Sequence, residues 1–446
     1  MTLIATTKRL ILGAGPTGQA VARHLTQLGV DYEVADTRTS QALQDQFQAE
    51  FPDVTAYYGP LKTEYLDRFD EIIVSPGIAP HTDGLRETIS PCISDIQLFR
   101  RAWPENRPLI AITGSNAKST VTQMVGEILE HAGRNVLVGG NLGPQALDLL
   151  PDARDDSIAV LELSSFQLAR TEKLRATVAT CLNMSPDHLD WHGDMVAYHK
   201  AKHRIFEGVG AIVVNAEDPL SQPLVPDQTP TIRFALQHSD FHRFGVIMHD
   251  DQSWIALGTE PWMPVAELPF SGNHMIQNAM AAMAIVHLLD VGPDCARAAI
   301  RNFKGLPHRM VDLGEYQGVR YINDSKGTNT GASIAAVKSV AATGPIHLLA
   351  GGDTKGAELG SWAQIMRQCT KRVYLYGADA TRMQDALSDH ALTFETLDEA
   401  LAVARSEAAA GEIVLLSPAA ASFDQFSDYQ ARGRHFEALV RGFHEA

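Results

Sequence analysis

Thr113-Gly114-Ser115-Asn116-Ala117-Lys118-Ser119-Thr120 comes straight after the apolar run Pro108-Leu109-Ile110-Ala111-Ile112. Such a run reads as a buried strand. It delivers the chain to a tight turn whose N–H groups face an anion, and a helix then begins at Ser119. Lys118 can reach the outer phosphates of a nucleoside triphosphate, and the Ser119 hydroxyl suits Mg²⁺. The loop is shorter than the common phosphate loop, with only Ser115, Asn116 and Ala117 between Gly114 and Lys118. Ala117 stands where that loop carries glycine, at a steric cost if the position needs a positive φ. The competing reading is a Gly-Ser-Asn turn that caps an ordinary helix.

Outward from this loop, strand-like apolar runs alternate with helix-like periodic segments, which argues for parallel α/β sheets. Before it, 9–12, 31–35 and 71–74 read as strands of a first domain. A break near Ile93-Ser94-Asp95 is followed by a short helix and a polar stretch to Arg107. After the loop, further strands are expected at 158–163, 177–182 and 211–215. The region 230–270 reads as a small strand insertion, and an Ala/Met-rich helix follows at about 274–290. Beyond Gly305-Leu306-Pro307 a third α/β unit holds strands at 320–322, 346–350, 373–376 and 413–416. The expected domains are 1–94, 95–305 and 306–446.

At 446 residues the chain is too long for one core. Its net charge of −16 disfavours broad binding to nucleic acid or to anionic membranes. An anionic substrate is still allowed, because a few local cations and helix N-termini override net charge. Cys92, Cys181, Cys295 and Cys369 are widely spaced and form no CxxC pair, so free thiols in a reducing compartment are expected. The start lacks a signal peptide's order of charge then apolar run, and no apolar stretch reaches the roughly 20 residues of a membrane span. The expectation is a cytoplasmic enzyme.

A second glycine motif, Gly13-Ala14-Gly15-Pro16-Thr17-Gly18, lies between a strand and the expected helix 19–28. Asp36 ends the next strand, and Thr37 and Arg38 follow it. This pattern is the dinucleotide fingerprint, in which a helix N-terminus takes a pyrophosphate and an acid takes a ribose. An NAD-dependent oxidoreductase is therefore a rival reading. It would explain only about the first 95 residues and leave the phosphate loop idle. A UDP-sugar would suit the same turn.

Several further motifs put polar groups at strand ends. Glu162 sits in Val160-Leu161-Glu162-Leu163-Ser164-Ser165-Phe166-Gln167, where a buried acid needs a partner such as a metal. Asp187, His188 and Asp190 follow another strand, and Lys202 lies in Lys200-Ala201-Lys202-His203-Arg204. The third unit carries His308-Arg309, Asn323-Asp324-Ser325-Lys326-Gly327-Thr328-Asn329, Gly351-Gly352-Asp353-Thr354-Lys355 and Ser417 to Phe426. Each alone could be a turn, a cap or a solvated face.

Their joint order resembles the Mur ligases, ATP-dependent amino-acid ligases of peptidoglycan precursor synthesis, across nearly the whole chain. Within the family the chain looks most like the members that add D-glutamate to UDP-N-acetylmuramoyl-L-alanine. The features that point there are the Gly13–Gly18 turn with Asp36-Thr37-Arg38, the Ser75-Pro76-Gly77-Ile78 loop, and Ala421-Ser422-Phe423-Asp424-Gln425-Phe426. A sibling ligase for another amino acid is the alternative within the class, and the N-terminal domain argues against a folate-type relative. A catalytically dead sugar-nucleotide-binding protein, suggested by Ala117, is a further alternative. The fold implied is a Rossmann-like UDP domain, a central phosphate-loop ATPase domain with a mostly parallel sheet, and a C-terminal Rossmann-like domain for the amino acid.

The resemblance also implies residue roles. ATP would contact Gly114, Ser115, Asn116, Ala117, Lys118, Ser119 and Thr120, with Asn278, Arg309, Asp324 and Lys326. Lys118, Glu162, His188 and Lys202 would be catalytic. Ser119 and Glu162 would hold a first Mg²⁺, and His188 a second, with Lys202 carbamylated to support it. The UDP substrate would meet Thr17, Asp36, Thr37, Arg38, Ser75, Pro76, Gly77, Asn141 and Gln167. D-Glutamate would be held by Thr328, Lys355, Ser422 and Phe423, a cation and hydroxyls being what two carboxylates require. Asp187 or Asp190 could orient His188. The family's His-Asn pair stands here as His274-Met275. A monomer is expected, with a hinge near 304–308 that closes over bound substrates, and with no nucleic-acid or membrane partner.

Overall fold

A computed structural model describes residues 7–269 and 272–443. The chain divides into two compact units. One runs to Leu268 and resumes over Gln277–Phe303; the other holds Lys304 onward and the described residues of 269–276. The break falls beside Gly305-Leu306-Pro307.

The first unit carries two sheets. Strands β1 (Arg9–Leu12), β2 (Tyr32–Asp36), β3 (Ala56–Tyr58), β4 (Glu71–Val74) and β5 (Cys92–Ile93) form a parallel sheet in the order β3-β2-β1-β4-β5. This is the crossover order that opens a crevice at the strands' C-terminal ends. The helix after β1 spans Pro16–Gln27, three residues earlier than the sequence suggests. Pro16 suits a helix start because its ring presets φ and its missing N–H needs no partner there.

The second sheet is built from β6 (Leu109–Thr113), β7 (Val136–Gly140), β8 (Ile158–Glu162), β9 (Val178–Cys181), β10 (Ala211–Asn215), β11 (Thr231–Phe234), β12 (Arg243–His249), β13 (Gln252–Leu257) and β14 (Glu260–Pro264). Their order is β14-β13-β12-β11-β10-β9-β6-β8-β7. Every residue of β6, β8 and β9 is buried, as expected of parallel strands covered on both faces. The 230–270 region is not a separate insertion. β11 and β12 join the sheet in parallel, and β13 and β14 extend it as an antiparallel meander. In β12 and β13 only Phe244-Gly245 and Ile255-Ala256 are buried, so this edge of the sheet is less covered than its centre. One apolar cluster, from Ile11 and Val34 through Phe99 and Trp103 to Leu161 and Ile212, runs through both sheets.

The second unit holds β15 (Val311–Tyr316), β16 (Val319–Asn323), β17 (Ile346–Gly351), β18 (Arg372–Tyr376), β19 (Ala391–Phe394) and β20 (Ile413–Leu416). The order is β15-β16-β20-β17-β18-β19, with only β15 antiparallel. Trp362 and Met366 pack with Val337 and Leu348 in one cluster, and Phe436 with Leu349 and Leu401 in another. Short strands β3, β5, β7, β15 and β19 escape the sequence reading because each is brief, partly exposed or both.

Candidate active site

The phosphate loop follows β6, and the helix after it spans Lys118–His131, one residue earlier than expected. Ala117 is its N-cap residue and lies in the left-handed region at φ 67. The cost foreseen for alanine there is therefore real. The loop is anchored from the β9 side. Ser115 N–H donates to Asn183 O (2.9 Å), and Asn116 N–H donates to Asn183 Oδ1 (2.8 Å). Ser115 Oγ bonds Ser185 and the Tyr198 hydroxyl (2.9 Å). Ser119 and Thr120 are buried.

Two ammonium groups converge on this loop. Lys118 Nζ donates to Gly114 O and Ser115 O, both at 2.9 Å. Lys202, 2 % exposed, donates to Gly114 O (2.8 Å) and Thr113 Oγ1 (3.3 Å). Its Nζ also lies 5.0 Å from the Tyr198 ring centroid. Burial first, and then the Lys118 charge, pull the Lys202 ammonium down to about 7. Lys202 is thus no solvated helix lysine.

Glu162 ends β8, in register with Ile112 of β6. It is buried, and Asn141 Nδ2 donates to its Oε1 at 2.7 Å. His188 sits in the left-handed region at φ 54, with its Nε2 3.5 Å from Asp187 Oδ2 and its ring 4.7 Å from that of Phe166. Of the two acids weighed as its orienter, Asp187 is the one this contact favours. Glu162 and the Ser119 hydroxyl are hard oxygen donors, and Mg²⁺ takes one or two such protein ligands beside phosphate oxygens and water. The donor set therefore fits the ion. Among the described residues no group of three or more His, Cys, Asp or Glu side chains could hold a metal alone.

All nine residues expected at the UDP substrate line a single cleft of about 410 Å³, beside Gly13, Gly15, Pro16, Ile78, Gly140 and Gln145. The Gly13–Gly18 turn forms one wall. A Cβ on Gly18 would lie 1.7 Å from Gly13 O, so close packing rather than ligand contact requires that glycine. Asp36 is almost fully buried, and its oxygens are committed. Oδ2 accepts from Ala14 N (2.8 Å) and the Arg38 guanidinium (2.7 Å), and Oδ1 from Arg38 N and Nε (both 2.9 Å). Asp36 therefore fixes the turn and aims Arg38. Arg38, about half exposed, is the cation offered to the cleft.

In the second unit, three strand-end loops meet. Asp353 and Ala421 exchange backbone bonds, and Ala419 N–H donates to Gly327 O (2.8 Å). These bonds bring the segments of Thr328, Lys355, Ser422 and Phe423 into one cluster. Ser422 is buried, whereas Phe423 is exposed. Asp324 is buried and accepts from Ser417 Oγ at 2.7 Å; burial pushes it up to about 6, opposed first by Arg309. Lys326 Nζ lies 5.5 Å from the Tyr429 ring centroid. Asn278, on the helix Asn273–His287, is buried and belongs to the first unit.

The sequence reading missed several residues. Arg432, fully buried, donates to Ser325 Oγ, Ser325 O and Ala420 O and ties two of these loops together. His192 Nε2 lies 2.9 Å from Ser165 Oγ, and burial, then His188 and Lys202, pull the imidazole down to about 4. Tyr198 touches both the phosphate loop and Lys202. Arg170, largely buried, donates to Ile78 O (2.9 Å) behind the cleft. Only their spacing from named motifs could have flagged them, and that spacing is not distinctive.

A phosphate loop on a largely parallel sheet, beside a glycine-turned crevice and joined in sequence to a second α/β unit, defines a nucleotide-dependent ligase architecture. Family models match along the chain: "Mur ligase MurD-like, N-terminal domain" over 7–96, "Mur ligase middle domain" over 112–286 and "Mur ligase, glutamate ligase domain" over 308–420. The chain is 43% identical over 437 residues to a UDP-N-acetylmuramoylalanine–D-glutamate ligase of Chromohalobacter salexigens, covering 96% of this chain and 95% of that one. It is 43% identical to the enzyme of that name from Pseudomonas syringae pv. syringae, with 99% of each chain covered. Among solved structures, a UDP-N-acetylmuramate–alanine ligase from Thermotoga maritima matches with a TM-score of 0.63 at 17% identity, over 98% of this chain and 99% of that one. A pseudomurein peptide ligase type C from Methanothermus fervidus matches with a TM-score of 0.61 at 18% identity, over 98% and 100%. The chain belongs to the Mur ligase family.

Proposed function

We propose that this protein is an ATP-dependent ligase that joins D-glutamate to UDP-N-acetylmuramoyl-L-alanine in peptidoglycan precursor synthesis. Identity of 43% along the whole chain to ligases of that name carries the reading. In the reaction, an oxygen of the substrate's terminal carboxylate attacks the γ-phosphorus, and ADP leaves. The amine of D-glutamate then attacks the acyl carbon, phosphate leaves, and the amine gives up a proton. Such chemistry needs alignment and charge neutralisation more than a protein nucleophile.

Lys118 exchanges its two carbonyl partners for the β and γ phosphates, and the N–H groups of 114–120 cradle the phosphate tail. Ser119 and Glu162 would hold Mg²⁺ at a first site, where it would supply neutralisation of the phosphate charge. His188 serves a second site. Asn141 holds one oxygen of the Glu162 carboxylate in place. An ammonium drawn down to about 7 exposes a neutral amine, the form that adds to CO₂. Lys202 is therefore suited to become a carbamate, a carboxylate-like anion in place of a cation. Arg38, Thr37 and the 75–77 loop hold the uridine diphosphate end, and Lys355, Thr328, Ser422 and the backbone at Phe423 hold D-glutamate.

Among the described residues no helix is long and apolar enough to cross a membrane. We place the enzyme in the cytoplasm, where its nucleotide substrates are, and as a monomer. The test is ADP release with UDP-N-acetylmuramoyl-L-alanine, screened over D-glutamate, L-glutamate, L-alanine and diamino acids. Turnover with D-glutamate alone is expected. Turnover with another amino acid but not D-glutamate would make this a sibling ligase, and nicotinamide reduction without ADP would revive the oxidoreductase.

A further inference from the structure

Gln167 lines the substrate cleft yet is only 2 % exposed, so its amide is held almost wholly by protein. Ser164 N–H donates to Gln167 Oε1 at 3.1 Å, and Ser164 Oγ lies at the same distance. A backbone N–H can only donate, so the oxygen of the amide must face Ser164. The nitrogen must then face the other way, toward Asp95. There Nε2 donates to Asp95 Oδ2 at 3.1 Å, with Oδ1 at 3.5 Å.

Asp95 opens the helix Asp95–Ala102 and is 2 % exposed. No ion pair to it is found among the described residues, so a carboxyl group is buried there for a hydrogen bond rather than for a salt bridge. The surrounding contacts hold the same pair of helices together. Ser94 Oγ lies 2.7 Å from Thr171 Oγ1, and Thr171 Oγ1 donates to Gln167 O at 2.8 Å. Two hydrogens sit on Gln167 Nε2, and Asp95 takes one. The other belongs to a side chain that lines the cleft.

We propose that Asp95, which touches no substrate, is a positioning residue for the UDP-linked substrate. It locks the Gln167 carboxamide so that the second Nε2 hydrogen is presented to an acceptor oxygen of the ligand. Without Asp95 the Ser164 N–H still selects the amide oxygen, but Nε2 loses the acceptor that holds its hydrogens in one direction. The reading of the cleft as the UDP-substrate site underlies this inference.

The experiment compares Asp95→Ala, Asp95→Asn, Gln167→Leu and the double variant Asp95→Ala/Gln167→Leu in the full chain. Calorimetric titration with UDP-N-acetylmuramoyl-L-alanine gives Kd, and ADP release gives KM for each substrate. Asp95→Ala should weaken the UDP-linked substrate about tenfold, the scale of one lost hydrogen bond, with KM for ATP unmoved. Asp95→Asn keeps an acceptor for Nε2 and should restore the affinity. In the Gln167→Leu background Asp95→Ala should add nothing. Asp95→Ser, which suits a helix's first turn and is too short to reach Gln167, replaces the alanine variant if that one does not fold. Equal effects in both backgrounds, equal shifts in the ATP and UDP-substrate constants, or no rescue by asparagine would each overturn the inference. Wild-type protein that binds no UDP-linked substrate overturns the cleft reading and this inference with it; normal wild-type binding with an unaffected alanine variant overturns this inference alone.

Discussion

The two glycine-bearing turns of the first unit look alike in sequence and are built on opposite principles. In the Gly13–Gly18 turn glycine stands where the backbone demands it: Gly13 has φ 108, and Gly18 packs directly on Gly13 O. Its acid, Asp36, is used up on its own backbone and on Arg38. In the 113–120 loop an alanine takes the left-handed position, and two lysines rest on neutral carbonyls. The first turn is finished before ligand arrives. In the proposed reaction the second turn's cations pass from carbonyls to phosphate, because a charged acceptor binds an ammonium more strongly than a carbonyl does. A motif thus fixes the course of the backbone, while the partners of its charged groups decide what the turn does.

Lys118→Ala gives the largest test of this contrast. Loss of the cation at the second turn should lower ADP formation by about 10³-fold, while the affinity for UDP-N-acetylmuramoyl-L-alanine at the first turn stays within twofold of wild type. Steady-state kinetics beside calorimetry reads both. Near-normal turnover would show that the lysine's carbonyl bonds are its final state and that the loop binds no triphosphate.

Gly18→Ala attacks the other turn through packing. A methyl 1.7 Å from a backbone oxygen cannot be accommodated without moving the turn. The expected loss is about 3 kcal/mol of stability, seen as a fall in the first melting transition, with weaker binding of the UDP-linked substrate. A variant that melts like wild type would mean that the turn adapts, and the claim of a finished first site would fail.

Asp95, buried against Gln167 of the cleft, offers a pH test. Burial pushes its carboxyl up to about 6 from an ordinary 3.8. An acid whose folded value is raised favours the folded state when protonated. That contribution is complete below the unfolded value and is lost as pH climbs from about 4 through 6. Asp95→Asn removes the loss, so the variant should gain on the order of 1–3 kcal/mol at pH 8 and almost nothing at pH 4. Urea unfolding at the two pH values decides it. An equal gain at both would mean that the carboxyl carries no desolvation cost.

The parts of the fold legible in the sequence were those written in continuous apolar runs: β1, β4, β6, β8, β10 and β20 are buried throughout or nearly so. The Gly13–Gly18, 75–77 and 113–120 segments were legible because glycine and proline mark turns strongly. The antiparallel edge of the second sheet was not, since a one-sided meander with Pro and Trp reads as a separate patch. At the site, charged residues inside motifs stand out in the sequence, whereas Asp95, Arg170, His192 and Arg432 act through contacts 27 to 107 residues away. Asp36 shows the limit in the other direction. The motif marks the residue but not its partners, because the sequence does not reveal that Arg38 folds back on it.

Ala117→Gly has the smallest expected effect and addresses the contrast most directly. At φ 67 and ψ −7 an L-residue is disfavoured by about 1 kcal/mol or more, a penalty glycine lacks. The residue is also the N-cap of the helix Lys118–His131, where glycine is preferred to alanine. Both effects favour glycine, and the added freedom of the unfolded chain opposes them by up to about 1 kcal/mol. The net gain should stay below about 1 kcal/mol, a rise of roughly 1–3 °C in Tm by calorimetry. KM for ATP should remain within twofold, because the N–H groups of the loop keep their directions. If glycine instead lowers Tm, the alanine methyl packs better than its backbone angle costs, and the second turn is as finished as the first. If glycine leaves Tm alone but weakens ATP severalfold, the methyl is a ligand contact, and its presence in the left-handed position is a feature of nucleotide recognition rather than a tolerated strain.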